Sequence, residues 1–197
     1  MTIFGFPYMT LLAAIVGSTL GGTTTEVGRS VAMLMAFNGL GALIGALGVA
    51  GLPSTTRRNK VIPLALLAFA TFIIGFSLVH VTWAMAIFSM LAGAALMSTN
   101  SLALTSIQAA VPGHLRGRVM ALFVMAFLGI MPFSALLFGP LGQAIGPDRA
   151  VMFAGLVLFA WALLLISRPA WLAGLQDADG NLMSGPGTPG ASREASR

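Results

Sequence analysis

From residue 61 to residue 115 the chain carries no Asp, Glu, Lys or Arg. Four further uncharged stretches, 1–25, 30–56, 119–147 and 150–167, cover most of the remainder. A helix rises about 1.5 Å per residue, so about 20 apolar residues cross the hydrocarbon core of a bilayer. The longest stretch holds two such lengths and each of the others holds one. Hydrophobic residues make up 57% of the 197 positions and charged residues 8%, against roughly 25% charged in a soluble domain. A small soluble fold leaves too much surface wet to hide that apolar content. The composition excludes a soluble globular enzyme and a disordered chain, and it predicts an all-α, polytopic membrane protein.

The longest stretch turns most readily at Val79-His80-Val81-Thr82-Trp83. His80 can sit in water there, and Trp83 suits the membrane interface. Six transmembrane helices follow, over about residues 3–21, 31–52, 62–79, 83–106, 118–142 and 150–167. The start lacks the basic segment of a signal peptide, and its apolar run continues too far for one.

The loops set the orientation. Arg57, Arg58, Lys60, Arg116, Arg118, Arg168, Arg193 and Arg197 all fall on one side of a six-span chain. Arg29 and Arg149 fall on the other, each beside an acid, Glu26 or Asp148. Basic loops stay inside, so both termini are expected in the cytoplasm of a multi-pass protein of the cell membrane. The net charge of +5 then reflects topology, and no nucleic-acid partner is expected. Residues 1–168 form the six-helix membrane domain. Residues 169–197 are expected to form a flexible cytoplasmic tail, because Gly185-Pro-Gly-Thr-Pro-Gly-Ala-Ser192 cannot build a core.

Most catalytic chemistry is excluded by what is missing. There is no cysteine, hence no disulfide and no thiolate metal site. No Gly-x4-Gly-Lys-Ser/Thr loop is present for ATP. An intramembrane serine protease needs a Gly-x-Ser-Gly nucleophile and a histidine on a later helix. The nearest match, Gly75-Phe-Ser77-Leu78, lacks the second glycine, and both histidines, His80 and His114, fall at loops. The chain is not expected to be an enzyme. Mid-span charges, which usually mark proton or ion pathways, are also missing.

Glycine, proline and a few amides carry the positive information. Gly41 and Gly45 form a Gly-x3-Gly pair that permits close approach of a neighbouring helix. The fifth span contains Pro132, Gly139 and Pro140, which predict a curved or broken helix. In the fourth span Ser101, Thr105 and Gln108 lie along one stripe, with Asn100 about 100° around. Such a face turns inward, either to bond other helices or to line a substrate path. Asn38 has the same two readings, with packing favoured. Phe4, Phe6 and Tyr8 flank Pro7 and either form an aromatic substrate surface or pack.

The segment Asn100-Ser-Leu-Ala-Leu-Thr-Ser-Ile-Gln108-Ala-Ala-Val-Pro112-Gly-His-Leu-Arg116-Gly117-Arg118-Val119, with Gly129-Ile-Met-Pro132 and Gly139 after it, resembles the major facilitator superfamily. More narrowly it resembles the enterobactin-exporter and drug:proton antiporter branch. Phe4-Gly-Phe-Pro-Tyr8 looks like the seventh helix of that fold, and Gly39-x-Gly41-Ala-Leu-Ile-Gly45 like its eighth. Gly51-Leu-Pro-Ser-Thr-Thr-Arg57-Arg58 resembles the superfamily's cytoplasmic loop signature without its Asp.

The resemblance implies the C-terminal six-helix half of a twelve-helix secondary transporter. Such a transporter moves a small amphiphilic molecule outward by alternating access and requires no cofactor. It also implies a partner, either an N-terminal half or a second copy. Tyr8, Asn100, Ser101, Thr105 and Gln108 would line the substrate path. Arg116, Gly117 and Arg118 would form a cytoplasmic gate or an interface anchor. The alternative is a truncated six-helix membrane protein without independent transport activity.

Overall fold

The computed structural model describes residues 2–21, 23–51 and 58–167, and every regular element among them is helical. In chain order these are α1 (Thr2–Gly5), α2 (Pro7–Leu20), α3 (Thr24–Ala50), α4 (Arg58–Leu78), α5 (Thr82–Ala110), α6 (Arg116–Ile145) and α7 (Pro147–Ser167). Five of them, α3 to α7, are long and apolar enough to cross a membrane. The tail expected over 169–197 and most of the Gly51–Lys60 loop lie outside the described residues.

The first expected span differs from the rest. Its helix is divided at Phe6, because Pro7 has no N–H to continue the ladder and instead takes the first position of a new helix. The 14 residues of α2 reach only about 21 Å, less than the hydrocarbon core. Where six spans were expected, the structure has five helices long and apolar enough to cross and a shorter apolar one at the position of the first.

The other helices overrun their expected spans. Extra turns at their ends carry polar residues that hydropathy alone assigns to loops. In α3 the helix starts at Thr24 because the Thr23 N–H donates to the Glu26 carboxylate at 2.8 Å, a reciprocal cap on the first turn.

Close packing is built on glycine. A Cβ on Gly41 would stand 1.8 Å from the Met90 carbonyl oxygen, and one on Gly45 would stand 2.2 Å from that of Ala94. From the other side, a Cβ on Gly93 would meet the Asn38 carbonyl oxygen at 2.3 Å. Thus α3 and α5 cross with their backbones in contact, as the Gly-x3-Gly spacing predicts. Ser98 adds a cross-helix bond, its hydroxyl donating to the Gly45 carbonyl at 3.2 Å. Helix α4 then packs between α5 and α7. There a Gly155 Cβ would sit 2.8 Å from the Ile74 side chain. Gly155→Leu is expected to cost about 1–3 kcal/mol by overpacking, read from detergent unfolding; an unchanged midpoint would show that α4 and α7 are not tightly seated.

The core gathers Tyr8, Leu12 and Ile15 of α2, Phe69, Ile73 and Phe76 of α4, Met85 of α5, Phe138 of α6, and Val151, Ala154 and Leu158 of α7. Tyr8 meets Phe76 edge-on with ring centroids 5.0 Å apart. Of the two expectations for α6, curved or broken, the break does not occur. The helix runs unbroken through Pro132 and Pro140, both exposed. Leu122, Met125, Phe133 and Leu136 of α6 also face outward, and lipid tails suit them as well as a protein neighbour would. Gly139 makes no close contact, whereas Gly142 abuts Leu11.

Candidate functional site

Helix α5 carries the polar stripe, and its position along the helix decides what the stripe can meet. With Trp83 at one interface, Ser89 lies about 9 Å along the axis, Asn100 and Ser101 about 26–27 Å, Thr105 about 33 Å and Gln108 about 38 Å. The hydrocarbon core is about 30 Å thick. On that basis Asn100 and Ser101 would lie within about 5 Å of the far headgroup level, and Thr105 and Gln108 at it.

Most of the buried residues of α5 precede Asn100, including Met85, Ala86, Ser89, Ala92, Ala95 and Thr99, with Leu102 the one enclosed beyond it among the described residues. Asn100, Ser101 and Gln108 are only partly covered, and Thr105 is exposed. The Thr105 hydroxyl donates back to the Ser101 carbonyl at 2.9 Å. Ser106 does the same to Leu102 at 2.7 Å. These hydroxyl protons are spent within the helix, so Thr105 offers a ligand only lone pairs.

Tyr8 lies elsewhere. Its ring is 1% exposed, and its hydroxyl bonds Ser89 rather than the Asn100–Gln108 stripe. Ser89 donates its own proton to the Leu34 carbonyl at 3.0 Å, so Tyr8 is the donor of the pair. The Asn38 amide donates to the Ser89 carbonyl at 3.0 Å. Three helices, α2, α3 and α5, thus meet at one enclosed polar cluster. Of the two readings of Asn38, the structure shows the packing one.

Along α5 the Tyr8–Ser89 contact is about 17 Å from Asn100. The structure therefore brings Asn100, Ser101, Thr105 and Gln108 together on one helix and leaves Tyr8 apart from them. Ser89 escaped the sequence reading, although a signal existed. It shares a helical face with Met85, Ala92 and Gly93, all buried, and a lone hydroxyl on such a face needs a partner.

The basic pair stands at the far end of the same helix. Residues 111–115 turn the chain, with the Leu115 N–H donating to the Pro112 carbonyl at 3.0 Å. Arg116, Gly117 and Arg118 open α6 and are all exposed. They share an end of the bundle with Gln108. Two permanent cations therefore stand at the same end of the bundle as the C-terminus of α5.

A family model for transmembrane secretion effectors matches residues 2–181. The chain belongs to this family of membrane transporters of the major facilitator type. No curated protein and no solved structure matches it significantly.

Proposed function

We propose that the chain is the C-terminal six-helix half of a secondary exporter in the cell membrane, with α1 and α2 together making the first crossing. Both termini face the cytoplasm, where Arg116 and Arg118 also lie. The family match over residues 2–181 carries this reading. The half-size unit supplies one wall of a cavity, and a second half or a second copy supplies the other. A small amphiphilic molecule passes along Asn100, Ser101 and Gln108, and the halves rock about it. Tyr8 contributes by fixing α2 rather than by touching substrate in this conformation.

The test is dye efflux from efflux-deficient cells that express the chain with a candidate second half. Ser101→Leu with Gln108→Leu is expected to lower the initial rate at least about tenfold, the equivalent of 1.4 kcal/mol. Efflux unchanged by the pair removes them from the substrate path. Efflux absent with every second half favours the alternative, a six-helix membrane protein without transport activity. That alternative draws on one observation: no Asp or Glu occurs between Arg29 and Arg118 to couple ion movement.

A further inference from the structure

At the end of the bundle away from Arg116, four helix termini surround a cleft of about 490 Å³. It is lined by Ser18 of α2, Ser77 and Leu78 of α4, His80 of the α4–α5 turn, Ile145 of α6, and Pro147, Asp148, Arg149 and Met152 at the start of α7. Leu78, Ile145, Pro147 and Met152 make its walls apolar. Its donors are the exposed Arg149 and His80 side chains and the N-terminus of α7, and its remaining polar groups are acceptors. The Ser77 hydroxyl spends its proton on the Asp148 carbonyl at 2.6 Å, and the Ser18 hydroxyl spends its own on the Ile15 carbonyl at 3.0 Å. Both face the cleft with lone pairs only.

Three of the four termini, those of α2, α4 and α6, are C-termini. The last carbonyls of a helix have no partner within it, and they carry the negative end of the helix dipole. The Asp148 carboxylate adds a full negative charge, and His80 acts on it through space. The one permanent cation of the lining, Arg149, is exposed to solvent.

We propose that this cleft binds the protonated amine of an amphiphile, the ammonium on Asp148 and the serine oxygens and the hydrocarbon part on Leu78, Ile145 and Met152. An ammonium brings several donors and a positive charge to a cleft rich in acceptors. Ammonium–carboxylate hydrogen bonds are roughly twice as strong as neutral ones. A carboxylate or phosphate would meet the Asp148 charge, the serine lone pairs and three helix C-termini, with only the exposed Arg149 and His80 side chains and the N-terminus of α7 to favour it. The amine can come from a soluble alkylammonium or from an aminophospholipid headgroup.

The experiment titrates octylammonium into the full chain in phosphatidylcholine nanodiscs by calorimetry. Saturable binding is expected, with affinity at least about tenfold lower in Asp148→Asn, a difference of 1.4 kcal/mol. His80→Arg changes an exposed turn and sets a second cation beside Asp148, so it lowers affinity similarly and carries the test if Asp148→Asn fails to fold. Octanoate does not bind saturably. Repeating the titration in phosphatidylethanolamine nanodiscs separates the sources: weaker apparent binding means that the lipid amine already fills the cleft, and unchanged binding means a soluble amine. Equal octylammonium affinity in wild type and in the folded variants, or octanoate binding as tightly, overturns the proposal. Both readouts are of binding, so failure of the exporter reading leaves this result standing.

Discussion

Gly41→Ala is expected to separate α3 from α5 and to remove most of the stability of the bundle. The added methyl would stand 1.8 Å from the Met90 carbonyl oxygen and 2.7 Å from its carbon. These are backbone atoms in mid-helix, and no rotamer change moves them aside. The helices must part, and parting also strips the Gly45–Ala94 contact, the Ser98–Gly45 bond and the Asn38–Ser89 bond. A loss of about 3 kcal/mol or more is expected, at the upper end for overpacking. The measurement is the unfolding midpoint in mixed micelles as denaturing detergent is added. Gly48→Ala is the control, because nothing stands within 4 Å of a Cβ there. It should shift stability by no more than about 1 kcal/mol. Equal effects at the two glycines would refute the backbone-to-backbone crossing.

The second large effect is expected at the enclosed polar cluster. Ser89→Ala leaves the Tyr8 hydroxyl without its serine acceptor inside the protein, at a cost of about 1–3 kcal/mol. Tyr8→Phe removes the donor while Ser89 keeps its bond to the Leu34 carbonyl, and so costs less, about 1 kcal/mol. The double variant should lose less than the sum of the two, by about 1 kcal/mol. Strict additivity would show that the two hydroxyls do not act as a pair. Dye efflux adds a second readout. If Tyr8 fixes α2 without touching substrate, Tyr8→Phe lowers the rate without changing which dyes compete.

Much of this architecture was legible in the spacing of charges. The Arg58–Lys60 group, the Arg116–Arg118 pair and Asp148-Arg149 stand in the first turns of α4, α6 and α7, because a charge is costly inside hydrocarbon, whereas Arg29 lies more than a turn inside α3. The α3–α5 contact was legible too, since glycines four residues apart have few other uses in an apolar helix. The break at Phe6 was harder to foresee. Pro7 marks a helix start as readily as a mid-span kink, and hydropathy does not distinguish them. Pro132 and Pro140 left open a curved or a broken helix, and the helix continues through both. A residue-level polar stripe likewise says nothing about depth. Tyr8 and Thr105 read alike as cavity-lining groups, yet one is sealed against Ser89 and the other lies in the open near a helix end. Which oxygen receives which proton is a property of three helices together, and no single segment encodes it.

The crossing of α3 and α5 also bears on how the bundle can change shape. A side-chain seam lets one helix slide a fraction of a turn by switching rotamers. A seam of carbonyls seated on glycines has no rotamers to switch, so those two helices are keyed like a bolt in its slot and travel as one strut. Helix α2 is held differently, by side chains alone: Tyr8, Leu11, Leu12, Ile15 and Val16. Side-chain seams of this kind can shift where the α3–α5 seam cannot, so a crosslink from α2 to α5 is expected to restrain any rearrangement of the bundle more than a crosslink from α3 to α5 does.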